Sequence, residues 1–193
     1  MTPRFVALAM CCVLAPPAIS VARAQQEVPN VPLRTQSGTP VRLYDDLVKG
    51  KVVLINFFFT SCTSICPTTT ANLKKVEARL AGQLGRDVVM ISISVDPETD
   101  TPAVLEGYAR RYRTGAGWYF LTGTRQDIDL VRRRLGMNLD GDDKNQHTGV
   151  LIYGSEPKRR WAATPATGDP EVIARNVLRL LPSNAATRPL PGR

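Results

Sequence analysis

Hydrophobic positions in this chain follow two different periods, and the way the periods alternate predicts its architecture. Residues 51–59 and 88–95 are near-continuous apolar runs rich in Val, Ile and Phe, the composition of strands buried on both faces. Elsewhere the apolar residues recur at helical spacing. Leu73, Val76 and Leu80 form one stripe behind Pro67, which suits a first helical turn. Thr101 and Pro102 supply an N-cap and a proline at the first helical position, opening a helix through about Tyr112. Ile128, Val131 and Leu135 mark a further helix, and 170–181 a last one with Val172, Ile173, Val177 and Leu180 turned inward. Residues 118–121 read as a short strand, and 148–153 with 159–163 as a hairpin around 154–158. Strands alternating with helices, then a hairpin and a terminal helix, predict an α/β fold: a central mixed sheet flanked by helices on both faces. No internal repeat and no second domain is evident.

The two ends have other compositions. Residues 1–24 have the layout of a secretory signal: Arg4, an almost wholly apolar stretch over 5–13, and Ala22-Arg23-Ala24 as a cleavage site. The rival is an uncleaved membrane anchor, but Pro16, Pro17 and Ser20 interrupt the run well short of the roughly 20 apolar residues that a spanning helix needs. The chain is therefore expected to be exported to the periplasm, or alternatively to be anchored in the inner membrane facing it. Residues 25–38 are polar with Pro29 and Pro32 and read as an N-terminal arm, 39–182 as the domain, and 183–193 as a disordered tail.

With 193 residues the chain is large enough to bury a core without disulfides. The formal net charge is +8, with basic clusters at Arg110, Arg111 and Arg113, at Arg132–Arg134, and at Lys158–Arg160. Such charge either guides docking to an acidic partner or an anionic membrane surface, or lies on solvated helix and hairpin faces. An exported chain without interleaved aromatics is not expected to bind nucleic acid.

Loss of Cys11 and Cys12 with the signal leaves Cys62 and Cys66 as the cysteines of the mature chain, in a compartment that does not keep thiols reduced as the cytosol does. They stand where the first buried strand gives way to a helix, so the helix dipole and nearby amides favour thiolate. Thiolate attacks disulfides and binds soft metals; a stabilising disulfide is the bland alternative. The other soft or borderline donors are Met90 and Met137, expected as core or filler, and His147, at the start of a strand after a polar loop. Two thiolates and one imidazole make a three-donor set. Thiolate softness selects Cu(I), whereas a closed structural zinc site takes four ligands, and an added water or a partner's ligand would complete a Cu(II) site.

Cys62-Thr63-Ser64-Ile65-Cys66-Pro67, then 94–102 (SVDPETDTP), then Leu121-Thr122-Gly123-Thr124, then His147 before a strand, resembles the SCO1/SenC family over roughly residues 31–181. That resemblance implies a thioredoxin-like fold and a role in copper delivery to cytochrome c oxidase. Cys62 and Cys66 match the family's copper-binding cysteines, which also interconvert between dithiol and disulfide, and His147 matches its third ligand. The 94–102 segment is expected as a turn and helix cap near the site, with Asp96 structural. The family often has an acidic residue before the histidine; here that position is the amide Gln146, and Asp142 or Asp143 of the loop is the candidate to supply a carboxylate instead. The implied partner is the oxidase subunit carrying the CuA site, with other periplasmic copper chaperones and thiol reductants. The alternative is a thiol-disulfide oxidoreductase acting on partner cysteines, which needs the thiols but not the histidine. A docking module with only a stabilising disulfide is a third class.

Overall fold

The two long apolar runs become the centre of a mixed sheet. In the computed structural model, which describes residues 28–137 and 149–182, β3 (Val52–Phe58) and β4 (Val88–Ser94) are buried at every position and pair in parallel from Val52 opposite Val88 to Phe58 opposite Ser94. Successive strand side chains point to opposite faces, so complete burial requires cover on both sides. The described strands are β1 (Pro32–Thr35), β2 (Pro40–Arg42), β3, β4, β5 (Trp118–Thr122), β6 (Val150–Ser155) and β7 (Arg160–Pro165), ordered β2-β1-β5-β4-β3-β6-β7. β5 is parallel to β4, whereas β1 runs antiparallel to β5 and β6 antiparallel to β3. The helices are α1 (Ile65–Leu80), α2 (Pro102–Arg111), α3 (Arg125–Arg134) and α4 (Pro170–Leu178), and a π-helical turn spans Leu43–Val48.

Local chemistry sets the boundaries. Thr101 caps α2 as its sequence predicts: its hydroxyl accepts from the Val104 amide at 3.4 Å, and Pro102 fills the first position. Thr124 and Asp169 cap α3 and α4 in the same way. At the end of the sheet remote from the thiols, Gly117 has φ +89°, and a Cβ there would lie 2.3 Å from the Gly85 amide nitrogen, so the β4 and β5 approaches can close only around glycine. The core between these ends contains a polar chain: Trp118 Nε1 donates to Ser92 Oγ at 2.9 Å, and Ser92 Oγ donates to Asn56 Oδ1 at 2.7 Å.

Three expectations change. Part of the segment read as an arm, Pro32–Thr35, is a strand, hydrogen-bonded to β5 on one side and β2 on the other. Pro32 stands at its first residue, a strand position that tolerates a missing N–H. The last helix ends at Leu178 rather than 181, and Val172, expected to turn inward, faces solvent while Ile173 and Val177 are buried. Arg132, part of a cluster expected either to guide docking or to lie on a solvated face, is buried along α3 with Nη1 3.2 Å from Asp129 Oδ1, while Arg133 and Arg134 are exposed. The signal and tail segments lie outside the described residues.

Candidate metal centre

β3 runs out at Phe58 and the chain enters a short loop before α1. Cys62 lies in that loop, its amide donating to the Phe59 carbonyl at 3.3 Å; Cys66 lies in the first turn of α1, one residue before Pro67. Both cysteines are buried, 7% and 1% exposed respectively, although Ser61, Thr63 and Ser64 around them face solvent. The two thiols are hydrogen-bonded to each other, and Cys62 Sγ is 3.5 Å from Ser64 Oγ.

Their electrostatics differ in sign. Burial works against ionisation of Cys62, but hydrogen bonds from Cys66 and Ser64, side chain and backbone, outweigh it and hold the Cys62 thiol below the ordinary cysteine value. Burial, followed by the hydrogen bond to Cys62, pushes the Cys66 thiol up to about 12, with the charges of Cys62 and Asp100 adding to the effect. Cys62 is thus the more readily ionised thiol and Cys66 the proton-retaining partner.

The loop is held from the neighbouring strand. Asp100, fully buried at 0% exposure, accepts from the Thr60 amide at 3.0 Å, from the Thr60 hydroxyl, and from the Ser94 hydroxyl at 2.6 Å. Ser94 Oγ in turn accepts from the Asp96 amide at 3.0 Å, and the Asp96 carbonyl accepts from the Thr99 and Asp100 amides. The segment after β4 therefore forms the expected turn and cap, but it also grips the residue that opens the thiol loop. Sequence reading missed this use of Asp100. The available signal was that Thr101 already fills the capping role, leaving the preceding carboxylate with another task.

β6 borders the same corner. Gly149, φ +56°, precedes it, and a Cβ there would lie 2.6 Å from Ile65 Cδ1, inside the thiol segment. Its carbonyl accepts from the Ala166 amide at 2.7 Å, and Asn72 of α1 donates to the Ala166 and Gly168 carbonyls at 2.9 and 2.7 Å, tying the turn after β7 to the helix that carries Cys66.

Of the expected ligands, Cys62 and Cys66 come together, whereas His147 lies outside the described residues, as do Asp142, Asp143 and Gln146. Among the described residues no group of three His, Cys, Asp or Glu side chains could hold a metal ion. Met90 is buried within β4 and Met137 packs against the core, both as filler. Two adjacent thiols suit a soft ion such as Cu(I) and leave coordination positions for further donors. No helix among the described residues is long and apolar enough to cross a membrane.

The SCO1/SenC family model matches residues 23–181. A SCO1 protein homolog of Bacillus subtilis is 40% identical over 101 residues, covering 52% of this chain and 51% of that protein, so the match spans about half the length of this curated relative. The copper-bound structure of Bradyrhizobium japonicum ScoI superposes with a TM-score of 0.63 at 28% identity, covering 79% of this chain and 99% of that one. BsSco, described as a member of the Sco family of cytochrome c oxidase assembly proteins with a disulfide switch, gives 0.65 at 28% identity, covering 80% and 92%. The fold is the expected thioredoxin-like α/β one.

Proposed function

We propose that this protein, which belongs to the SCO1/SenC family, is a copper chaperone in which reduced Cys62 and Cys66, with His147, hold copper for the CuA site of cytochrome c oxidase. The observation that carries the reading is two buried, mutually hydrogen-bonded thiols at the end of β3, beside the start of β6. β6 is antiparallel to β3 with Leu151 opposite Asn56, so each residue back along β6 corresponds to one forward along β3. His147 is two residues from Gly149, at most about 7 Å of backbone, and Gly149 borders Ile65 between the two cysteines. That short tether supports His147, the chain's single histidine, as the third donor.

Copper is cargo in this reading. Binding displaces thiol protons, and transfer proceeds by ligand exchange, a partner thiolate or imidazole entering an open coordination position before the chaperone's ligands leave. No catalytic base is required. The structure of a copper-bound relative and the oxidase-assembly description of another support the cargo and the partner. An exported chain, periplasmic or membrane-anchored, meets that partner where its copper site is built. Competition titration of Cu(I) against a chelator tests the reading: the wild type should bind more tightly than His147→Ala, and an affinity no greater than that of a generic dithiol would sink it.

The unequal thiols favour a second activity of the same pair, exchange with a partner disulfide. Cys62 would attack as thiolate and Cys66 would resolve the mixed disulfide. His147→Ala should lose copper affinity but keep disulfide reduction; loss of both together would remove the distinction.

A further inference from the structure

We infer that Asp100 is a positioning residue for the thiol pair: by clamping Thr60 to Ser94 it fixes the mouth of the loop from which Cys62 reaches Cys66. This rests on the working role of the pair argued above, but on a different observation.

β3 and β4 are joined by ladder bonds up to Phe58 and Ser94, and the Val95 amide still donates to the Phe58 carbonyl at 2.8 Å. Past that point the ladder ends, and Thr60 is held by its amide and hydroxyl, both given to one carboxylate 40 residues away in sequence. That carboxylate is immobile in its own right. It is fully buried, takes a third hydrogen bond from Ser94, and sits directly before the Thr101 cap of α2. Cys62 is two residues beyond Thr60, whereas Cys66 is fixed by α1 itself. The two sulfurs therefore hang from separate supports, a helix for one and the Asp100 clamp for the other. Loosening the clamp frees Cys62 to wander and adds an ordering cost to every event that needs both sulfurs at one point.

The geometry supplies its own control. In Asp100→Asn the amide oxygen can accept from the Thr60 amide and the Ser94 hydroxyl, while the amide NH2 donates to the Thr60 hydroxyl, which is able to accept. Asn thus keeps the clamp and removes the charge; Ala removes both. The measurement is the equilibrium with glutathione, in which one glutathione disulfide oxidises the pair to a Cys62–Cys66 disulfide and releases two glutathione thiols; it needs no metal. Closure should become less favourable by about tenfold in Asp100→Ala and by a few-fold in Thr60→Val, while Asp100→Asn stays within about twofold of wild type. If Asp100→Ala does not fold, the Thr60→Val and Asp100→Asn pair carries the test. Wild-type closure in Thr60→Val, or Asp100→Asn weakened at least as much as Thr60→Val, overturns the inference. The chelator titration on the same variants separates the two claims: a wild type without copper affinity but with this ranking of closure sinks the cargo reading alone, and copper affinity with no ranking sinks the clamp alone.

Discussion

The sheet contains two buried polar clusters that look alike on paper. Asn56, Ser92 and Trp118 link β3, β4 and β5 at mid-height; Thr60, Ser94 and Asp100 link the ends of β3 and β4. The first is neutral, and it joins strands already held by their own ladders. Its contribution is to satisfy the indole N–H of a fully buried tryptophan and to fix the orientation of the core. The second contains a carboxylate and joins segments with no ladder between them. Equal burial therefore conceals unequal roles: one cluster decorates a connection that exists without it, and the other is the connection.

Thiol chemistry gives the largest expected contrast. Ionisation rises with pH, and Cys62 ionises below the ordinary cysteine value while Cys66 does not until about 12. At pH 8 iodoacetamide should therefore modify Cys62 at least about 100-fold faster than Cys66, as peptide mapping can resolve. Equal rates would break the link between the thiols and their surroundings. Next in size is stability: Asp100→Ala leaves three donors, the buried Ser94 hydroxyl and two groups of part-buried Thr60, without their acceptor and should lower the unfolding free energy by about 2–3 kcal/mol in denaturant titration. Ser92→Ala should cost less, about 1–2 kcal/mol, and leave the alkylation ratio unchanged. A shift in that ratio would show that the mid-sheet cluster also reaches the thiols. The smallest effect belongs to Gly149→Ala, where a positive φ and the Ile65 methyl oppose a Cβ: about 1 kcal/mol of stability, with a change in Cys62 modification rate because the clash falls on the thiol segment.

Much of this was legible in the chain. The parallel strands announced themselves by unbroken apolar runs, α2 by its Thr-Pro start, and the thiol pair by its place between a buried strand and a helix. What escaped has physical causes. β1 and β2 are only four and three residues long, too short to display a period, and β1 owes its conformation to hydrogen bonds with β5, which lies far along the sequence. Arg132 is concealed because a run of three arginines reads as solvated, yet helical geometry turns one of them inward beside Asp129. Asp100 is the instructive case. Its neighbours in sequence form a turn and a cap as expected, but its partner is Thr60, and no local pattern encodes a contact of that range. The third proposed ligand, His147, lies outside the described residues, so its role stands on the family resemblance, on its two-residue distance from Gly149, and on the titration that tests it.

The unequal mounting of the two sulfurs has a consequence for traffic at the surface. Cys66 is embedded in the first turn of a sixteen-residue helix, while Cys62 sits on a loop whose neighbours Ser61, Thr63 and Ser64 face the solvent. A visiting protein approaching that corner meets Cys62 first and can draw it outward without unwinding anything. On the proposed reading, handover then follows an order, the outer sulfur yielding before the inner one, and the direction of exchange is written into which cysteine the helix keeps.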